Sequence, residues 1–96
     1  MPFTESAIAI YLPKLKNMWN VVDGKKLHSI FIFKDFKQSM KFVDKIAKIA
    51  EKEGHHPDMT INYNKVVIEL TTHAIGGLSE NDFIVAAKIE IVATKI

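Results

Sequence analysis

Apolar residues recur along this chain with two different periods, and the switches between them mark out its elements. Ile8, Tyr11, Leu12 and Leu15 share a helical stripe after Thr4-Glu5, a capping residue followed by an acid favourable to the helix dipole. Pro13 should end or kink that helix near Leu12. Trp19 to Val22 reads as a short strand, Asp23-Gly24 as a hairpin turn and Leu27 to Phe33 as the partner strand. Alternation puts Leu27, Ser29, Phe31 and Phe33 on one face, with His28, Ile30 and Ile32 on the other. Two exposed isoleucines would leave an apolar patch, so part of that second face is expected to be covered in an oligomer.

The period then lengthens. Phe36 to Glu53 reads as a helix with Phe36, Met40, Val43, Ala47 and Ala50 as its apolar stripe and Gly54 as its stop. Met59 to Tyr63 and Val66 to Thr72 alternate again, joined at Asn64-Lys65. The expected buried set is Met59, Ile61, Tyr63, Val66, Ile68 and Leu70. Ser79 with Asp82 forms a Ser-x-x-Asp capping box for a final helix, whose apolar side holds Phe83, Ala86, Ala87, Ile91 and Val92. The order α-β-β-α-β-β-α predicts an α+β fold: a four-stranded antiparallel sheet with helices on one face. No repeat or linker interrupts it, so residues 1–96 read as one domain.

Composition narrows the function classes without choosing one. The 96 residues are 48% apolar and 25% charged, ordinary values for a soluble domain, and no run approaches the roughly 18 apolar residues of a membrane span. MPFTESAIAIYLPKL lacks the basic stretch and cleavage site of a signal peptide, which favours a cytoplasmic protein with no membrane partner. Cysteine is absent, which excludes disulfides, thiolate zinc sites and cysteine nucleophiles. A net charge of +2 with no arginine argues against direct nucleic-acid binding.

Candidate chemistry lies in the histidines. His55 and His56 follow the long helix and His73 follows the last strand. A two-residue turn at Asn64-Lys65 would set Tyr63 opposite Val66 and, counting outward, His56 opposite His73. His55 and His56 could enter one pocket together only if the Gly54–Pro57 loop bends. Glu51, in the last helical turn, opposes the helix dipole and could orient an imidazole or bind an amine-like ring edge. Imidazoles and a carboxylate could also bind zinc, but no His-x-x-x-His spacing supports a metal site. Asp82 reads as a helix cap, His28 as a surface or interface residue, and Trp19 and the phenylalanines as core.

These residues also resemble a known family. Glu51-Lys52-Glu53-Gly54-His55-His56-Pro57, Tyr63-Asn64-Lys65-Val66, Leu70-Thr71-Thr72-His73 and Gly77-Leu78-Ser79 with Asp82 are similar to the pterin-4a-carbinolamine dehydratases. Trp19-Asn20 and Phe33-Lys34-Asp35-Phe36 extend the resemblance over nearly the whole chain. It implies a hydro-lyase acting on 4a-hydroxytetrahydrobiopterin without a cofactor, in tetrahydrobiopterin recycling. His55, His56 and His73 would be its catalytic residues. Glu51, His55, His56, Pro57, Thr71, Thr72, His73 and Ala74 would contact the pterin. The resemblance further implies a homodimer or homotetramer and, in some relatives, a transcription-factor partner. Two positions depart from the family pattern: Met59 where an aromatic residue is frequent, and Gly54 where an acid is frequent. Neither removes a proposed catalytic group.

Overall fold

The structure, a computed structural model, describes residues 1–16 and 19–96. Helix α1 spans Glu5–Tyr11, β1 Asn20–Val22, β2 Lys26–Ile32, α2 Phe36–Glu53, β3 Asp58–Asn62, β4 Lys65–Leu70 and α3 Glu80–Ala93. The strands form one antiparallel sheet in the order β1-β2-β4-β3, so the two hairpins meet through β2 and β4. Leu27, Ser29, Phe31, Val66, Ile68 and Leu70 are buried on the face that the helices cover. On the other face Ile30 is 48% and Ile32 71% exposed, the apolar patch that alternation predicts. The α+β order and the one-sided helical layer therefore agree with the sequence pattern.

Local chemistry sets most boundaries. The Thr4 hydroxyl accepts from the Ala7 N–H at 3.3 Å and starts α1. The chain tightens into a 3₁₀ turn at Leu12–Lys14, where Pro13 can sit because the first turn of a helix has no use for its missing N–H. Asp23 and Gly24 both take positive φ (54° and 67°), the turn geometry compatible with the right-handed twist of the β1–β2 hairpin. Asp35 caps α2 by accepting from the Gln38 N–H at 2.9 Å, while Gln38 Oε1 accepts from the Lys34 N–H at 2.8 Å. Among the described residues no helix is long and apolar enough to cross a membrane.

Three expectations need correction. The β3–β4 turn is Tyr63-Asn64 rather than Asn64-Lys65, with Asn62 opposite Lys65 and Ile61 opposite Val66. The cause is tertiary. The Phe33 N–H donates to Asn64 O at 2.7 Å and the Asn64 amide donates to Phe33 O at 3.2 Å, so Asn64 is tied to the end of β2. Tyr63 then takes the left-handed turn position at φ 51° and is 65% exposed rather than buried. Ile61, on the edge strand, is 36% exposed and Met59 half-buried, although both keep the expected face.

Helix α2 is also rotated relative to the expected stripe. Its buried residues are Ser39, Phe42, Ile46 and Ala50, whereas Phe36 is 48% exposed, Ala47 exposed, and Met40 and Val43 half-buried. Phe42 meets the rings of Phe31 and Phe33 at 4.9 and 4.8 Å. Burying a side chain as large as Phe42 or Ile46 stabilises by about 1.5–3 kcal/mol, more than Ala47 could return. In α3, Phe83 and Ala86 are buried as expected, but Val85 and Ile89 complete the inner side and Ile91 is 57% exposed. Apolar residues surround that helix, so spacing alone could not choose its inner face.

Candidate active site

One end of the β3–β4 hairpin collects the residues singled out in the sequence. The segment 55–57 enters β3 there and the segment 71–74 leaves β4 there. The two-residue shift in register means that the ladder, continued past Asp58–Glu69, would set His56 opposite Thr71 and not His73. The pairing of His56 with His73 is therefore overturned. What joins the two segments is a carboxylate from α3.

Gly54 ends α2 at φ 64°, and the His55 N–H closes the helix by donating to Ala50 O at 3.1 Å. That closure bends the chain, and the neighbouring imidazoles go to different partners. His55 Nε2 lies 2.6 Å from Asp82 Oδ1, with the His55 side chain 13% and that of Asp82 0% exposed. His56 Nε2 lies 2.5 Å from Glu51 Oε2, with side chains 61% and 79% exposed. Glu51 thus does orient an imidazole, at the rim.

Asp82 is more than the helix cap that its spacing predicts. The capping box is present, with Asp82 Oδ2 accepting from the Ser79 N–H at 2.9 Å. The same oxygen accepts from the Thr72 hydroxyl at 2.8 Å, and Thr72 Oγ1 lies 2.8 Å from Ser79 Oγ. Burial of a carboxylate is costly unless donors surround it, and here a backbone N–H, a hydroxyl and an imidazole do so. A carboxylate already accepting from two donors accepts from the third as well, so His55 Nε2 carries its hydrogen. Nδ1 is then the ring nitrogen that Asp82 does not engage. The sequence reading missed that Asp82 also joins His55 to Thr72. The available signal was its place one turn into the helix behind two histidine-bearing loops.

The 71–77 loop is held at several points. The Thr71 hydroxyl donates to Lys25 O at 2.6 Å, in the β1–β2 turn. Thr72 and Gly77 form an isolated antiparallel bridge, with the Thr72 N–H on Gly77 O at 2.9 Å. His73–Ile75 is a 3₁₀ turn between them, with His73 and Ala74 exposed. Pro57, Thr71 and Thr72 are half-buried. Among the described residues, no three His, Cys, Asp or Glu side chains converge as a set of metal ligands.

The fold is one that known proteins share. The sequence profile described as pterin 4 alpha carbinolamine dehydratase matches residues 1–92. The chain belongs to this family. An inferred pterin-4-alpha-carbinolamine dehydratase of Nitrosospira multiformis is 49% identical over 93% of this chain and 77% of its own length. One from Alkaliphilus metalliredigens is 44% identical, over 93% of this chain and 80% of its own length. A crystal structure of a transcriptional coactivator/pterin dehydratase from Brucella melitensis superposes with a TM-score of 0.90 at 36% identity, covering 97% of this chain and 99% of that one. A pterin dehydratase-like protein described as a RuBisCO assembly factor of the alpha-carboxysome shares the fold alone. Its TM-score is 0.66 at 23% identity, over 79% of this chain and 87% of that one. The pterin-4a-carbinolamine dehydratases are hydro-lyases, and in this chain the segments His55-His56-Pro57 and Thr72-His73 lie at the open end of the β3–β4 hairpin.

Proposed function

We propose that this protein dehydrates 4a-hydroxytetrahydrobiopterin to the quinonoid dihydropterin by histidine acid–base catalysis. The observation that carries the reading is the buried Asp82 carboxylate. It grips His55 and, through Thr72, the segment that bears His73. In the reaction a proton is delivered to the 4a-hydroxyl, the carbon–oxygen bond breaks and water leaves. The N5–H proton passes to a base, and its electron pair forms the C4a–N5 double bond. One acid and one base suffice, and no electrons are exchanged with a cofactor.

His55 and His73 take these two roles, and the exposed His56, held by Glu51, binds the substrate at the rim. Imidazole is the side chain best suited to both giving and taking a proton near neutrality. Pro57, Thr71, Thr72 and Ala74 line the segments that meet the pterin. The protein works as one domain in the cytoplasm, in tetrahydrobiopterin recycling, as a homo-oligomer that covers the exposed Ile30 and Ile32. The absence of cysteine and those two isoleucines support this setting.

The test is the dehydration of freshly generated 4a-hydroxytetrahydropterin, followed by ultraviolet absorbance with and without chelator. Acceleration that survives chelation and falls by about 10²–10⁴-fold in a His55→Ala, His73→Ala double variant is expected. No acceleration by the unmodified protein would overturn the reading. A second reading, a protein-binding cofactor of a transcription factor, is favoured by the coactivator role in the name of the Brucella melitensis relative. A stable complex with such a factor in gel filtration would support it.

A further inference from the structure

Outside the histidine cluster, the closest approach at any glycine lies on the back of the His73 loop. Gly77 is buried, and a Cβ built there would sit 2.7 Å from the Cβ of Pro2. Its φ is not in the left-handed range, so an alanine would suit the backbone and only Pro2 stands in its way. The next residue pair is joined directly: the Phe3 N–H donates to Leu78 O at 2.7 Å. The Phe3 ring is wedged between Tyr11 at 4.9 Å and Phe83 at 5.9 Å, and the Tyr11 hydroxyl donates to Glu80 Oε2 at 2.8 Å. An aromatic anchor on α1 and α3 thus holds an extended segment across the loop.

We propose that Pro2 and Phe3 form a strap that positions the His73 loop for the reaction, and that Gly77 is the residue that lets the strap close. The inference rests on the dehydratase reading for its catalytic consequence, not for its mechanics. Gly77 is packed between two partners. A Cβ on it would meet Pro2, and its carbonyl accepts from the Thr72 N–H at 2.9 Å. A side chain at 77 must push Pro2 away or shift the Gly77 backbone, to which Thr72 is bonded. Displacement toward Thr72 reaches His73 directly along the chain and reaches His55 through Asp82, which Thr72 and His55 share. Pro2, Phe3 and Gly77 touch no reacting atom and are positioning residues.

Three variants test this: Phe3→Ala, Gly77→Ala, and Gly77→Ala combined with Pro2→Gly, which removes the clashing ring. Amide exchange at Thr72 and dehydration kinetics are the two measurements. In Gly77→Ala, kcat/KM is expected to fall about 10- to 100-fold, as for other small misplacements of catalytic groups. The Thr72 amide should exchange about tenfold faster while the amides of β2 and β4 keep their protection. Phe3→Ala should accelerate the same amide. The double variant should recover kcat/KM to within about threefold of the unmodified protein, a coupling expected only of residues in contact. Unchanged Thr72 exchange in both single variants would overturn the strap, as would a loss of kcat/KM that Pro2→Gly does not recover. If the unmodified protein shows no dehydration, the dehydratase reading fails separately. Thr72 exchange in Phe3→Ala and Gly77→Ala then decides the strap alone, faster exchange upholding it and unchanged exchange overturning it.

Discussion

His55 and His56 are neighbours in the chain, and each meets a carboxylate at hydrogen-bonding distance, 2.6 Å and 2.5 Å respectively. Their surroundings differ. The Asp82 partner of His55 is fully buried and shared with Thr72 and Ser79, whereas both members of the His56–Glu51 pair are mostly exposed. Water and salt screen the outer pair, so it contributes roughly 0–1 kcal/mol and holds His56 only weakly. Loss of one partner of the inner pair strands the others without water to replace it. The difference teaches that an imidazole beside a carboxylate is held firmly or loosely according to how deeply the carboxylate is buried.

The comparison breaks most completely at Asp82. Asp82→Ala removes a cap and the partner of three donors, and we expect a loss of about 2–4 kcal/mol in urea unfolding. Asp82→Asn should retain much of the capping but lower turnover, because an amide cannot hold His55 as a carboxylate does. Glu51→Gln, the matching change at the rim, should alter unfolding by less than about 0.5 kcal/mol. Equal losses in Asp82→Ala and Glu51→Gln would erase the distinction.

A second measurement sharpens it by separating kinetic constants. His55→Ala should lower kcat by about 10²–10⁴-fold with KM little changed. His56→Ala should raise KM and leave kcat within about threefold, as expected when binding common to ground and transition states is removed. A fall in kcat of the same size in both variants would assign His56 a catalytic part.

The smallest effect lies just behind the site, at Glu53. The Lys88 ammonium beside it holds its carboxyl below the usual range, partly offset by desolvation. A depressed carboxyl contributes stability above its unfolded pKa of about 4.5 and loses that contribution as pH falls through the folded value. Lys88→Met should therefore flatten the acid limb of stability measured by thermal unfolding below that pH, and leave the His55 and His56 kinetics alone. An unchanged acid limb would show that the pair is screened out.

Most of this architecture was legible in the sequence because local chemistry decides it. Thr4, Asp23-Gly24, Gly54 and the Ser79–Asp82 box each act within a few residues of themselves. The β3–β4 register was not legible, because a contact to Phe33, 31 residues away from Asn64, moves the turn by one position. The inner face of α2 was hidden for a related reason. Two apolar stripes overlap there, and the rings of Phe31 and Phe33 select the one containing Phe42. The three histidines and the end of the sheet they share were readable. The carboxylate joining His55 to Thr72 was read only as a cap, since spacing reports what Asp82 does for its own helix and not what it does for distant loops.

The dependence of His55 on Asp82 also imposes an order in time. During synthesis the chain presents His55, His56 and His73 before the residues of α3 exist. Until Phe83, Ala86 and Ile89 are buried and bring Asp82 into place, the His55 imidazole swings free and the Thr72 hydroxyl has no carboxylate to meet. On the dehydratase reading proposed above, a half-made molecule is silent toward its substrate, and competence arrives as a late event, when α3 docks.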